Sequence, residues 1–347
     1  MTTLLLRADA SPQIGMGHVM RCLALAQAWQ DHGGRACFVR AGSADAFDER
    51  LATEGVDLRR LGCAAGSPED AAATRTLARE LHAAAVVLDG YHFDTSFQAR
   101  LRGDAVPLLC VDDNAHAGEY VADWVLNQNL HAEPSLYARH APHTRLLLGP
   151  EFALLRRDFT RWRDWPRETP AQVRRVLVTL GGSDPDNVTA SVLAALEQLA
   201  LPDLEVVVVV GGASRHYETL RAGLRLPGAR LRRNVTDMPE LMRWADLAVT
   251  AGGSTCWEAA CLGLPLCSLV IAENQLASAR RLARAGTAEV MEPGPAGWEP
   301  DKLAGVLDAL AHNSARRAQM TTAGRALVDG RGAERVTNIL TGREPTL

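Results

Sequence analysis

Short apolar runs alternate with amphipathic stretches along nearly the whole chain, and this rhythm restricts the fold more than any single motif. A short run with no polar interruption reads as a strand buried on both faces, and the amphipathic stretch after it as a helix laid over the sheet. Repetition of that pair predicts an α/β architecture. The first strand is "TLLLRAD", followed by a glycine loop and a helix from about Val19 to Trp29. "DHGGRACFVR" gives a glycine stop and a second strand, and "AAAVVLDGY", "VPLLCVDDN", "ADWVLNQN" and "TRLLLGP" supply more. Each ends in polar or glycine residues, where a doubly wound sheet presents its ligands.

The rhythm breaks once. "GPEFALLRRDFTRWRDWPRETPAQ" carries three prolines among clustered arginines and aromatics, and "VRRVLVTLGGSDPDN" then restarts the pattern. "EVVVVVGG", "ARLRRN", "ADLAVTAGGS" and "LPLCSLVI" continue it. The expected organisation is an N-terminal Rossmann-like domain over residues 1–155, an interdomain segment over 156–171 and a C-terminal Rossmann-like domain over 172–347. A chain of 347 residues is long enough for two such domains, each with its own core. Their likeness is architectural, with no internal sequence repeat.

Apolar residues make up 47% of the chain and charged residues 22%, the balance of a soluble globular protein. A net charge of −4, with no long basic run, gives no general attraction to nucleic acid. No apolar run is long enough to span a bilayer, and "MTTLLLRAD" meets charge too early for a signal peptide. Seven scattered cysteines without a CxxC pair suit a reducing compartment, so a cytoplasmic location is expected. Neither a zinc-ligand spacing nor a bound cofactor is indicated.

The stretch "SPQIGMGHVMRCLALAQAW" places Gly15, Gly17 and His18 between the first strand and its helix. Bulky Met20 follows where a dinucleotide fingerprint needs its third glycine, and there is no GK[ST]. Two readings remain open for His18: a polar residue capping a helix, or a general base held neutral by the positive end of the helix dipole. "VVLDGYHFD" and "CVDDN" bring Asp89, Tyr91, Asp112 and Asp113 to strand ends, with Asp112 and Asp113 read as solvated turn residues. "VLNQN" offers Asn127, Gln128 and Asn129 as neutral partners for sugar hydroxyls or as an ordinary turn.

In the second half, "ADLAVTAGGSTCWEAACLGLPLCSLVIAENQ" runs a strand into Gly252, Gly253, Ser254 and Thr255 and then a helix. Glycines let backbone N–H groups approach a diphosphate, and a helix start adds partial positive charge. Glu258, one turn on, is placed to accept from a ribose hydroxyl pair. Gly181, Gly182, Ser183 and Asp184 repeat the glycine theme, either as a ligand contact or as a helix cap. "WRDWP", with Trp162 and Trp165, reads as a hydrophobic hinge contact rather than a sugar platform.

Taken together, "RADASPQIGMGHVMRCLALA", "VLNQN", "LLGPEFALLRRDF", "LGGSDPDN", "MPELMRWADLAVTAGGSTCWE", "LGLPLCSLVIAENQ" and "VDGRGAERV" resemble the UDP-2,4-diacetamido-2,4,6-trideoxy-β-L-altropyranose hydrolases of pseudaminic acid biosynthesis, relatives of the lipid II-forming N-acetylglucosaminyltransferase. The resemblance runs over nearly the whole length. It implies a GT-B fold, two Rossmann-like domains facing across a cleft, with UDP held by the C-terminal domain. It further implies His18 as the catalytic histidine, Glu258 on ribose, the segment from Asn234 to Met238 bordering uracil, and Asn274 and Gln275 facing sugar and phosphates. Gly15, Gly17, Tyr91, Asn127 and Asn129 fall on the sugar side, Gly181 on the UDP side. Two stretches depart from the family pattern: "DGYHF" stands for DHYG, and "DDNAHAGEY" for a run beginning DDLADR. Both belong to the half expected to recognise sugar. The implied reaction is hydrolysis of a UDP-linked amino-deoxy sugar, with His18 activating water and without a metal. The alternative is a GT-B glycosyltransferase using a UDP-sugar donor, with His18 activating an acceptor hydroxyl.

Overall fold

The computed structural model describes the chain except for residues 1, 10–15, 42–44, 103–105, 234, 296 and 344–347 and the side chains of 45 and 46. The chain divides into two compact units: Met1–Arg157 together with Gly330–Leu347, and Asp158–Asp329.

The first unit is built on seven parallel strands: β1 (Thr3–Ala8), β2 (Arg35–Ala41), β3 (Asp57–Leu61), β4 (Ala83–Asp89), β5 (Leu108–Val111), β6 (Trp124–Asn127) and β7 (Arg145–Leu148). Their order is β3-β2-β1-β4-β5-β6-β7, so the winding reverses between β1 and β4. Side chains alternate faces along a strand. Leu4, Leu6 and Val87 therefore pack with the helix Gly17–Asp31 on one face, while Leu5, Val86 and Leu88 pack with Phe93 and Phe97 on the other. Both faces are covered, as a parallel sheet requires.

β1 carries a charge into this interior. Arg7 is fully buried, its Nε and Nη2 donating to the two oxygens of Asp70 at 2.9 and 2.7 Å. Its Nη1 meets Asp9 at 2.7 Å. Asp70 comes from the helix Pro68–Glu80, which Ser67 caps by accepting from the Asp70 N–H. A buried arginine is tolerable only with its charge matched, and here two carboxylates do so.

The second unit repeats the plan with β8 (Arg175–Thr179), β9 (Glu205–Val210), β10 (Ala229–Arg233), β11 (Leu247–Ala251), β12 (Leu266–Leu269) and β13 (Ala288–Met291). The order is β10-β9-β8-β11-β12-β13, all parallel, and the reversal falls between β8 and β11. Val176, Val178, Val206, Val208 and Val249 form its core with Val192, Leu303 and Leu307 from the flanking helices. Trp162 and Trp165 belong to this unit and stack on the guanidinium of Arg243, at 3.6 and 4.9 Å from their ring centroids. Arg167 donates to the carbonyls of Met242, Ala245 and Leu262, strapping the segment down.

The last helix corrects the expected boundary at 347. Gly332–Leu340 packs Val336 and Leu340 into the first unit's core beside Leu23 and Leu25, and Asn338 lies 3.1 Å from His32 Nε2. Gly332 makes this close approach, since a Cβ there would meet the Ala153 carbonyl oxygen at 2.3 Å. Nothing local in the sequence marks this return, because the helix's apolar partners lie at the other end of the chain. Among the described residues, no helix is long and apolar enough to cross a membrane.

Candidate functional site

The helix Gly17–Asp31 is the next described element after β1, and it starts two residues earlier than the apolar periodicity predicts. Met16, the residue before it, makes no side-chain cap. His18 is buried and does not cap either: its Nδ1 lies 2.6 Å from Asp89 Oδ1 at the end of β4. The two strands at the winding reversal thus bring imidazole and carboxylate together. The capping alternative for His18 is thereby set aside in favour of a tertiary contact.

Arg21, one helical turn along, locks this pair. Its Nε donates to Asp89 Oδ2 at 2.6 Å and its Nη2 to Oδ1 at 2.8 Å. Its Nη1 reaches Asp113, at 2.7 and 2.8 Å from the two oxygens. Burial works against the charge on Asp89, but Arg21 and His18 outweigh it and hold the carboxyl below its ordinary range. An ionised Asp89 can only accept, and Arg21 can only donate. Nδ1 of His18 therefore carries a hydrogen directed at Asp89, and in the neutral ring Nε2 is the acceptor nitrogen.

Tyr91, 45% exposed, stands edge-on to His18 with ring centroids 4.9 Å apart. Burial, with Asp113 next in weight, pushes its hydroxyl up to about 12, so it stays neutral. Behind it, 5.5 Å away, lies His116. Asp112 is not a solvated turn residue. It is buried, and His116 Nδ1 and the Tyr120 hydroxyl each lie 2.5 Å from its Oδ2. The N–H groups of Asn114 and Ala115 donate to its Oδ1 at 2.7 and 2.6 Å. Burial alone would raise it, yet these bonds bring it down to about 2.

The asparagines divide. Asn127 is fully buried with its Nδ2 on the Asp113 carbonyl and the Tyr137 hydroxyl, and its Oδ1 accepts the Asn129 N–H and Nδ2. Such an amide has nothing left to offer a sugar, so the expectation of substrate contact is corrected: Asn127 braces the loop. Asn129 is half-buried and gives its Nδ2 to Asp113 Oδ1 at 2.9 Å. Gly17 opens the helix with no atom within 4 Å of where a Cβ would stand. Gly15 and Asn234 lie outside the described residues.

At the reversal of the second sheet the materials are different. Gly253 and Ser254 are exposed between β11 and the helix Thr255–Cys261, with Thr255 and Glu258 half-buried beside them. The Gly252 N–H is taken by the Leu269 carbonyl and Gln275 Oε1, and the Gly253 N–H by the Ala251 carbonyl. Ser254 and Thr255 head the helix, where N–H groups have no intrahelical acceptor. Gln275 also accepts the Ile271 N–H at 3.2 Å, so its oxygen ties two loops together. Asn274 is exposed on the turn Glu273–Gln275, and Met238 opens the helix Met238–Trp244 behind the cap of Asp237.

The turn after β8 mixes both readings offered for it. Asp184 caps the helix Val188–Leu196, accepting from the Val188 and Thr189 N–H groups at 2.9 and 3.0 Å. Gly181, at φ +87°, makes a turn that other residues resist. Gly182 and Gly253 are different: neither has positive φ nor any atom within 4 Å of a Cβ position. The fold itself does not require glycine there. Among the described residues, no three His, Cys, Asp or Glu side chains converge on a metal position.

The sequence does not reveal Arg21 or the half-buried Asp113 as partners of this pair. The available signal was spacing: Arg21 follows His18 by three residues, on the same helix face.

Residues 175–335 match the model of the glycosyltransferase family 28 C-terminal domain. The spore coat polysaccharide biosynthesis protein SpsG of Bacillus subtilis (strain 168) is 36% identical over 198 residues, 56% of this chain and 56% of that protein. The chain spans about half the length of the curated relatives it matches. Among solved structures, MurG of Acinetobacter baumannii superposes with a TM-score of 0.68 at 16% identity, covering 99% of this chain and 100% of that one. HepE of Anabaena, solved in complex with UDP-glucose, gives 0.65 at 16% identity with the same coverage. The chain thus has the two parallel-sheet α/β domains of GT-B glycosyltransferase structures.

Proposed function

We propose that this chain is a glycosyltransferase that uses a UDP-sugar donor, with His18 as the base that activates the acceptor. The observation that carries the reading is the bond from His18 Nδ1 to Asp89, which leaves Nε2 to take a proton. Nε2 removes the proton of an acceptor hydroxyl, its oxygen bonds to the anomeric carbon, and the glycosyl–phosphate C–O bond breaks. UDP leaves with the bonding pair. The second unit holds the UDP: the match to a glycosyltransferase C-terminal domain supports this, as do the glycines at 182 and 253 that the fold does not require. Backbone N–H groups of Ser254 and Thr255 then stabilise the charge growing on the diphosphate, and Glu258 accepts from ribose. Exposed Tyr91, edge-on to His18, offers apolar surface for the sugar.

A second reading has one observation in its favour, the hydrolase-like motif strings: water takes the acceptor's place and the free amino-deoxy sugar is released. Pure protein is incubated with a panel of UDP-sugars, with and without candidate acceptor alcohols, and UDP is measured. UDP release only with acceptor supports transfer, equal release without acceptor supports hydrolysis, and no release from any donor overturns both. His18→Asn is expected to lower turnover by roughly 100-fold or more while UDP affinity holds. A folded variant with near-normal turnover removes His18 as the base.

A further inference from the structure

Arg21 serves two carboxylates at once. Its Nε–Nη2 edge lies on Asp89, and its Nη1 straddles Asp113. The three groups together carry one net negative charge while His18 is neutral, and become neutral with it once Nε2 takes a proton. Asp113 creates that balance. Were it uncharged, Arg21 would cancel Asp89, and an imidazolium would form with Arg21 Nη2 only 3.1 Å from Nδ1 and no charge left to offset it.

We infer that Asp113 is a positioning residue for the His18 base, acting through Arg21: by engaging the far side of the guanidinium, it leaves the charge of Asp89 available to the imidazolium formed during turnover. The inference rests on the reading of His18 as base. Asp113 is well held for this role. Asn129 Nδ2 donates to its carboxylate, and Asn127 Nδ2 and His131 Nε2 lie 3.1 Å from its carbonyl oxygen, so the loop after β6 clamps the loop after β5.

The other described groups facing His18 do not supply a competing charge. Cys22, on the same helix, has its Sγ 3.7 Å from Asp89, and burial raises its thiol far above the ordinary range, so it stays protonated. Tyr91 is neutral. Behind it, His116 and Asp112 pair with each other. The charge that His18 takes up in turnover is therefore offset by the net negative charge of Asp89, Arg21 and Asp113 together.

The test measures kcat and KM for Asp113→Asn and Asp113→Ser across the imidazole titration range, with whichever UDP-sugar the wild type turns over. Melting curves confirm that the variants are folded. With Asp113 uncharged, protonated His18 is less favourable and the base is weaker. The acid limb of the rate profile is expected to move down by about one pH unit. At neutral pH kcat should fall by about tenfold, and KM should change by less than about threefold. The NMR titration of the His18 ring in ligand-free protein should shift the same way, a readout that survives even if turnover becomes too low to follow. Loss of kcat with limb and NMR midpoint unmoved marks a merely structural role and overturns the inference. His18→Asn runs alongside. If it keeps turnover, the base assignment falls and takes the inference with it. If it loses turnover while both Asp113 variants keep the wild-type profile, the inference alone falls.

Discussion

The winding reversal between β1 and β4 is furnished with ionisable side chains: His18, Arg21, Asp89 and, one strand over, Asp113. The equivalent reversal between β8 and β11 is furnished with glycine turns, Gly181–Gly182 and Gly252–Gly253, and with hydroxyl residues. The strand orders correspond, apart from the extra edge strand β7 in the first sheet. One topology thus offers the same ledge twice. Side-chain charge can take and return a proton, whereas bare backbone can approach an anion closely but cannot titrate near neutrality. The difference assigns proton transfer to the first unit and anion binding to the second, under the proposed reading.

If the first unit really depends on matched buried charge, the largest effect should follow from unmatching one. Asp70→Ala leaves fully buried Arg7 with Asp9 alone and also strips acceptors from Gly66 N–H and Thr74. The expected loss is about 3–5 kcal/mol of stability, seen as a lowered melting temperature. Replacing both partners by apolar residues of similar volume should recover much of it. A loss below about 1 kcal/mol for the single variant would mean that the charge network is a solvated surface feature.

The second unit should be sensitive to shape instead. A Cβ on Gly211 would stand 2.2 Å from the Gly182 carbonyl oxygen and 2.4 Å from that of Gly181, both backbone atoms. Gly211→Ala must push the turn after β8 out of place, at about 1–3 kcal/mol of stability, and should weaken UDP binding with it. Gly253→Ala meets nothing within 4 Å and should change stability by less than about 0.5 kcal/mol. Its effect should appear in UDP affinity alone. Unchanged affinity in Gly253→Ala would show that no phosphate passes over that turn, and the contrast between the two units would lose its functional half.

Most of the plan legible in the sequence is what burial makes uniform, half-exposed β10 being the exception. β1, β4, β8, β9 and β11 are apolar runs because both faces are covered. The outer strands β3 and β13 went unseen. "DLRRL" is half-exposed or exposed along its whole length, and "AEVM" is only partly buried, so neither presents an apolar run. The glycine turns were legible because glycine is itself the signal. The Arg21 hub was not: its two carboxylates lie 68 and 92 residues away, and only tertiary structure joins them. Asp112 and Asp113 looked like an ordinary acidic turn, since nothing local reveals that Tyr120, Tyr137 and Arg21 close over them. Asn127 misled for the same reason, a polar residue at a strand end whose partners arrive from elsewhere.

The smallest expected effect sharpens the comparison by pH. Burial lowers the readiness of His116 to charge, but Asp112 outweighs it and raises the imidazole above its ordinary value. Asp112 is lowered to about 2. A group raised on folding contributes stability that is complete below its unfolded value, about 6.5 for histidine, and is lost as pH climbs through the folded one. A lowered carboxyl contributes above its unfolded value, about 3.9, and loses that contribution as pH falls toward its folded value. Both contributions are therefore intact between about pH 4 and 6.5. Comparing wild type with His116→Gln by melting temperature, the wild-type advantage should be on the order of 1 kcal/mol in that window and should shrink on the alkaline side. The glycine-built turns of the second unit supply no counterpart, so Gly253→Ala should track wild type at every pH. A wild-type advantage over His116→Gln that is constant with pH would mean that the imidazole contributes packing against Tyr91 and no charge.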